Sequence, residues 1–290
     1  RPFDPFHIFL PVGVSFFTFQ SLSYTIEIYR GDLKPVERII DYAFFVTFFP
    51  QLVAGPIVRA KDFLPQINLP VMVTSEMFGH GVYLIASGLF KKVFISDFIS
   101  VNFVDRVFDE PHLYSGFENL MAVYGYAVQI YCDFSGYSDM AIGIALLLGY
   151  RLGINFNQPY QSSSITEFWR RWHISLSSWL RDYLYIPLGG NRKSSSASFI
   201  IPVVFFIGAF VVLLMNAMHG NNFTYLIIYA VVCLVMLGLF MLRGKKEMHT
   251  NLNLTSTMLL GGLWHGPSWN FIAWGFLHGS ALSIEKIWKE

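Results

Sequence analysis

Long apolar stretches separated by short polar segments dominate this chain. A helix needs roughly 20 apolar residues to span the hydrocarbon core of a bilayer. The stretches that reach or approach this length are 6–29, 39–58, 77–99, 117–148, 197–218, 223–242, 252–264 and 269–284. The pattern predicts an all-α, polytopic membrane protein.

Two of these stretches differ from simple spans. Residues 39–58 contain the segment Pro50–Pro56, which predicts a discontinuous helix because proline interrupts helical hydrogen bonding. Residues 117–148 exceed one span and contain Asp133 and Asp139. We expect two half-elements or two tightly joined helices there.

Residues 161–185 have a different, amphipathic pattern. A three-four-four spacing predicts that four polar side chains share one helical face: Arg170, His173, Ser177 and Arg181. The other face carries Trp169, Trp172, Leu176, Trp179 and Tyr183. Such a helix either anchors at the membrane surface or lies inside the protein, and its histidine favours the interior.

The stretches 197–218 and 223–242 carry almost no charge and are joined by a four-residue polar turn. They predict a membrane hairpin, inserted between residues 194 and 246. The chain then re-enters the membrane and continues to a histidine, His265, before the last apolar stretch.

Composition supports the membrane class. The chain is 54% hydrophobic and 13% charged, whereas about a quarter of the residues of a soluble globular domain are charged. A net charge of +1 provides no basic field for nucleic acid. Cys132 and Cys233 lie in apolar runs and indicate packing rather than a disulfide framework.

Several side chains carry candidate chemistry. His265 lies in the block Gly261–Asn270, among glycines and tryptophans, and an imidazole at membrane depth needs a partner or a wet cavity. The alternative is a histidine bonded to backbone where the chain returns to water. Asp133 and Asp139 do not have a metal-ligand spacing, so we expect them to pair with buried arginine or backbone groups. Lys91 and Lys92 are expected to snorkel to an interface.

Seven blocks along the chain together match one known pattern. They are Pro11–Gln20, Phe49–Pro56, Tyr131–Asp139, Asn155–Tyr160, Phe168–Ser177, Tyr183–Arg192 and Trp264–Gly266. This series resembles the membrane-bound O-acyltransferase family, in the bacterial branch that O-acetylates alginate and other exported polysaccharides. The resemblance implies a ring of transmembrane helices around a central tunnel, in a multi-pass protein of the bacterial cytoplasmic membrane. We expect a single domain over residues 1–290, as a fragment of a chain with further spans.

The resemblance also implies a reaction. An acyl group, acetyl in particular, passes from a cytoplasmic thioester, acetyl-CoA or an acyl carrier protein, to an exported polysaccharide or to a partner acyltransferase outside the membrane. No tightly bound cofactor and no metal are expected. Two other functions fit the same residues: a transporter or export subunit without bond chemistry, and a family member that acts on a lipid, protein or teichoic acid acceptor.

Site residues follow by motif. The histidine of the Trp-His-Gly block, His265, is the expected catalytic base, and His173 of the Arg-Arg-Trp-His block is the second catalytic residue. His173 would polarise the thioester carbonyl or orient the acceptor, or else only pack between helices. The expected substrate-binding residues are Arg170, Arg171, Asn157, Trp264 and Asn270. Interfacial anchoring for the arginines and helix capping for the asparagines are the alternatives.

One departure from the family pattern stands out. Family members run almost directly from the Gly-Gly-Asn-Arg block into the segment before the catalytic histidine, whereas about fifty residues intervene here. Because a hairpin crosses twice, the insertion is expected to leave His265 on the side that the family requires.

Overall fold

The computed structural model describes residues 13–52, 55–220, 245–266 and 268–289. Every regular element in these ranges is helical, which confirms the predicted all-α class. The chain divides into two compact units, the first made of residues up to Pro159 with Arg171–Leu176, and the second of Tyr160–Arg170 with everything from Ser177. The single domain over residues 1–290 stays a prediction.

The described residues up to 159 form seven α-helices. They are α1 (Val14–Arg30), α2 (Ile39–Thr47), α3 (Phe49–Leu52), α4 (Ala60–Ile67), α5 (Ser75–Leu89), α6 (Asp105–Asp109) and α7 (Gly116–Leu147). Two π-helical segments, Phe90–Asp97 and Ser100–Val104, make α5 and α6 parts of one uninterrupted helical rod.

The predicted discontinuity in residues 39–58 is confirmed. α2 ends at Thr47, the short α3 follows after Phe48, and the chain from Gly55 to Arg59 is not helical. The fully buried Gln51 donates its side-chain amide to the Phe45 carbonyl at 2.6 Å, which satisfies one carbonyl freed by the break.

The prediction of two elements in residues 117–148 is wrong, because α7 is one helix of 32 residues. A capping box defines its start: the Ser115 hydroxyl accepts from the Glu118 N–H, and the Glu118 carboxylate accepts from the Ser115 N–H. Gly136 does not break the helix. A Cβ there would lie 2.7 Å from the Gly88 carbonyl oxygen, so this glycine allows α5 and α7 to pack closely.

The π-helical segment that continues α5 also forms ion pairs with α7. Lys91 Nζ lies 2.6 Å from Asp139, and Lys92 Nζ lies 2.6 Å from both Asp133 and Asp97. The prediction that the aspartates pair with arginine or backbone groups is therefore wrong, because their partners are lysines, and snorkelling of the lysines to an interface stays a prediction. Pairing across the helices neutralises charges that are costly to leave alone in an apolar environment.

The described residues after 159 contain six more α-helices. They are α8 (Ile165–Arg171), α9 (Ile174–Leu180), α10 (Ile186–Leu188), α11 (Ser196–Gly220), α12 (Lys245–His265) and α13 (Trp269–Lys289). A π-helical segment, Arg181–Tyr185, joins α9 to α10.

α11 matches the first arm of the predicted hairpin. Its residues 196–215 form the one described helix that is long and apolar enough by composition to cross a membrane. The second arm, residues 223–242, lies outside the described residues. The hairpin therefore stays a prediction.

α12 begins earlier than the apolar stretch 252–264 predicted. Its polar first half is helical because its side chains bind neighbouring segments: the fully buried Asn253 donates to the carbonyls of Gly190 and Lys193 at 2.8 and 2.7 Å, and its amide oxygen accepts from the Ser198 hydroxyl at 2.6 Å. A buried amide with three such bonds is well satisfied.

Candidate active site

The chain around His173 is not the continuous amphipathic helix predicted for residues 161–185. α8 ends at Arg171, α9 starts at Ile174, and His173 has a left-handed φ of +43°. Two backbone hydrogen bonds of 2.9 Å hold the break, from the Asn157 N–H to the Arg171 carbonyl and from the Ile174 N–H to the Asn155 carbonyl. The single polar face predicted for Arg170, His173, Ser177 and Arg181 is therefore wrong.

The break places the His173 side chain in a buried position, 2% exposed. Its ring makes an edge-to-face contact with Phe134, with centroids 4.6 Å apart, and stacks beside Phe156 at 6.4 Å. Its Nδ1 lies 3.1 Å from Asn155 Oδ1. The imidazole is thus held by one polar partner and two aromatic rings.

Asn155 is a site residue that the sequence interpretation missed in favour of Asn157. It is 1% exposed, and besides His173 its Oδ1 accepts from the Ser175 N–H at 3.2 Å and from the Ser175 hydroxyl at 2.8 Å. Its Nδ2 donates to the Ser138 hydroxyl at 3.1 Å. Both asparagines belong to the Asn155–Tyr160 block, so the sequence contained a signal for Asn155. The block alone does not show which of the two side chains is buried.

The other residues predicted near His173 are less enclosed. Asn157 and Arg170 are exposed, whereas Arg171 is half-buried and its guanidinium donates to the Asn157 carbonyl at 3.4 Å. The structure thus brings Asn157 and Arg171 together through backbone atoms. Their role in substrate binding stays a prediction.

His265, in the second unit, is the last residue of α12 and has an exposed side chain. Aromatic rings approach it from three residues: Trp264 at 4.9 Å and Trp274 at 4.9 Å in edge-to-face contacts, and Phe271 stacked at 6.0 Å between centroids. Trp264 thus lies against the imidazole, and α13 supplies the other two rings.

Glycines bring α12 and α13 close together near this histidine. A Cβ on Gly262 would lie 2.2 Å from the Phe271 carbonyl oxygen, and one on Gly275 would lie 2.3 Å from the Met258 carbonyl oxygen. No side chain fits at such distances, so Gly262 and Gly275 permit this close backbone approach.

Asn270 occupies the first turn of α13 with an exposed side chain. It does not cap the helix: the Ser268 hydroxyl accepts from the Asn270 N–H at 3.3 Å, as an N-cap side chain does. Its predicted role in substrate binding stays a prediction.

A second histidine near His265 was also missed. His278 contacts the Trp274 ring at 4.6 Å and the Trp169 ring at 5.1 Å, so Trp274 touches both imidazoles. The sequence feature that could have identified His278 is the spacing of Phe271, Trp274 and His278, which places all three on one helical face. Among the described residues, no group of three or more histidine, cysteine or carboxylate side chains is arranged to hold a metal.

Comparison with known proteins decides the family. The model of the membrane-bound O-acyltransferase family matches residues 36–244. The chain belongs to the membrane-bound O-acyltransferase family. It is therefore a membrane protein, and the resemblance found in its motifs is confirmed.

Individual relatives extend the match beyond residue 244. The probable alginate O-acetylases of Pseudomonas aeruginosa and Azotobacter vinelandii are 43% and 42% identical to 99% of this chain, which covers 44% and 46% of their lengths. The peptidoglycan O-acetyltransferase of Helicobacter pylori is 35% identical over 99% of this chain and 49% of its own length. The chain thus spans about half the length of these relatives.

Proposed function

We propose that this chain carries the catalytic centre of a membrane O-acyltransferase, which transfers an acyl group, acetyl in particular, from a cytoplasmic thioester to an exported polysaccharide. The observation that carries the proposal is His265, an imidazole at the end of α12 with three aromatic neighbours, in a chain of an acyltransferase family. The donor is acetyl-CoA or an acyl carrier protein, and the acceptor is alginate or a partner protein that passes the group to it.

His265 supplies the general base in this proposal. Moving an acyl group to a hydroxyl requires removal of the hydroxyl proton, and an imidazole does this near neutral pH. Trp264, Phe271 and Trp274 limit the access of water, which would otherwise hydrolyse the thioester. Exposure of the imidazole leaves room for a substrate to reach it.

The proposal includes several membrane crossings and the ring of helices around a tunnel that the family resemblance implies. A helix needs roughly 20 residues to cross the membrane. Two helical elements are longer than this: the rod that runs from α5 through the π-helical segments to α6, and the 32-residue α7. Their charged residues lower their hydropathy, but Lys91 and Lys92 pair with aspartates of α7. Such pairing is what permits ionisable residues at membrane depth.

A different acceptor is the second candidate. The Helicobacter relative is named for peptidoglycan, and a Bacillus subtilis relative, 32% identical over 64% of this chain and 48% of its own length, is named teichoic acid D-alanyltransferase. The identity to the alginate O-acetylases is higher, so we place alginate first.

One experiment tests function and acceptor together. Mass spectrometry of cell-surface polysaccharide and peptidoglycan is compared between cells that express the full-length protein, its His265→Ala variant, or neither. We expect O-acetyl groups on the polysaccharide only with the unaltered protein. Acetylation confined to peptidoglycan would move the acceptor to the second candidate. Unchanged acetylation in all three strains would instead favour a transporter or export subunit without bond chemistry.

A further inference from the structure

The direction of each hydrogen bond around Asn155 is fixed by two backbone N–H groups. The Ile57 N–H donates to the Ser175 hydroxyl oxygen at 2.9 Å, and the Ser175 N–H donates to Asn155 Oδ1 at 3.2 Å. A backbone N–H cannot act as an acceptor. The Asn155 atom that faces Ser175 is therefore the amide oxygen and not the amide nitrogen.

The Ser175 hydroxyl has one proton, and its position follows. Its oxygen already accepts from Ile57, and Asn155 Oδ1 lies 2.8 Å away as an acceptor, closer than His173 Nδ1 at 3.5 Å, so the hydroxyl proton points to Asn155. On the other side of the amide, Asn155 Nδ2 donates to the Ser138 hydroxyl at 3.1 Å. The whole amide is thus oriented by groups other than the histidine.

His173 Nδ1 faces this same oxygen at 3.1 Å. Because an amide oxygen only accepts, Nδ1 must carry the proton. We infer that Asn155 is a positioning residue that holds the neutral form of His173 in the Nδ1–H tautomer, in which Nε2 accepts a hydrogen bond from the acceptor hydroxyl. This inference rests on the proposed function for its second half, and on hydrogen-bond geometry alone for its first.

The inference decides between two roles that the sequence left open for His173. A neutral imidazole whose Nε2 bears a lone pair cannot donate a hydrogen bond from that atom to a thioester carbonyl. It can accept one from a hydroxyl. Orientation of the acceptor is therefore the role that fits, and the left-handed backbone at His173 fixes where the ring points.

The tautomer is tested by ¹⁵N NMR of histidine-labelled full-length protein in detergent at a pH where the ring is neutral. The His173 signals are identified by their loss in His173→Asn. We expect a pyrrole-type Nδ1 and a pyridine-type Nε2 in the unaltered protein and in Ser175→Ala, which keeps the backbone donor. In Asn155→Leu the Nδ1 and Nε2 signals of His173 should move towards each other, because the ring then exchanges between its two tautomers. A pyrrole-type Nε2 in the unaltered protein, or an unchanged spectrum in Asn155→Leu, would overturn the inference.

The role is tested by two kinetic constants with acetyl-CoA as donor. In Asn155→Leu, kcat/KM for alginate should fall at least about tenfold, as expected for the loss of one positioning hydrogen bond. The KM for acetyl-CoA should be unchanged, which a general loss of structure would not allow. Asn155→Asp, which keeps the acceptor oxygen, should restore transfer. Equal transfer in Asn155→Leu and the unaltered protein would refute the orienting role.

The NMR result does not depend on the reaction. If the protein transfers no acyl group to alginate while the spectra are as expected, the proposed function fails and the tautomer assignment stands. If transfer occurs while the spectra differ from expectation, the reverse holds.

Discussion

The imidazole of His265 and the indole of Trp274 meet edge to face, with centroids 4.9 Å apart and planes inclined at 77°. The contact joins the last residue of α12 to the second turn of α13. Such aromatic pairs contribute about 0.5–1.5 kcal/mol beyond the area they bury. The orientation of the proposed base is therefore set by a helix other than its own.

Replacement of His265 by alanine should abolish acyl transfer. A general base typically contributes 10²- to 10⁴-fold, and the exposed imidazole is not a packing anchor. Transfer is measured in membranes with equal amounts of protein. His112→Ala is the matched control, since this exposed histidine lies in a 3₁₀ turn and should leave the rate unchanged. Near-normal transfer by a well-expressed His265→Ala protein would refute the mechanism.

Replacement of His173 should lower transfer less than loss of His265, because its role is positioning. Asparagine is the better substitute here than alanine, since it tolerates the left-handed backbone at φ +43°. Rates of His173→Asn and His265→Ala are compared in the same preparation. Equal and complete inactivation would instead make the two histidines one catalytic unit.

Replacement of Gly262 by alanine should destabilise the protein by about 1–3 kcal/mol, the usual cost of overpacking. The added methyl would lie 2.2 Å from the Phe271 carbonyl oxygen and push α12 from α13. Thermal unfolding in detergent measures the loss. Gly79→Ala is the control, because nothing lies within 4 Å of its Cβ position and alanine favours helix α5 by up to about 1 kcal/mol. Equal melting temperatures for the two variants would contradict the close approach.

The pair of Lys91 and Asp139 should show strong coupling in a double-mutant cycle. Lys91→Met or Asp139→Leu alone leaves an uncompensated charge and should lower stability by more than about 1 kcal/mol, whereas the double variant should recover most of it. The pair of Arg38 and Asp41, in which the arginine is exposed, is the comparison, with an expected effect of at most about 1 kcal/mol. Additive losses at Lys91 and Asp139 would show that the pair is not coupled.

The predicted hairpin of residues 194–246 should cross the membrane twice. Basic flanks at Arg192–Lys193 and Arg243–Lys246 favour the cytoplasmic side for both ends. Single cysteines at Ser195 and Asn221, in a background without the two native cysteines, should react with an impermeant thiol reagent from opposite sides. Labelling of both from one side would rule out a spanning hairpin.

The sequence by itself determined the helical class and the family, and the family motifs named His265 and His173 as candidate catalytic residues. Apolar length and composition fix a helical membrane protein because unpaired backbone is too costly in lipid. The Trp-His-Gly motif also places Trp264 beside His265, since the two residues are adjacent in the chain.

Only the tertiary structure decided how distant residues meet. The left-handed backbone at His173 breaks a helix that the periodicity predicts to be continuous. Backbone hydrogen bonds to Asn155 and Asn157 replace the helical ones there. Conversely, α7 is continuous across Asp133 and Asp139 because lysines of another segment neutralise them. Local sequence carries neither effect, since each depends on partners far away in the chain and close in space.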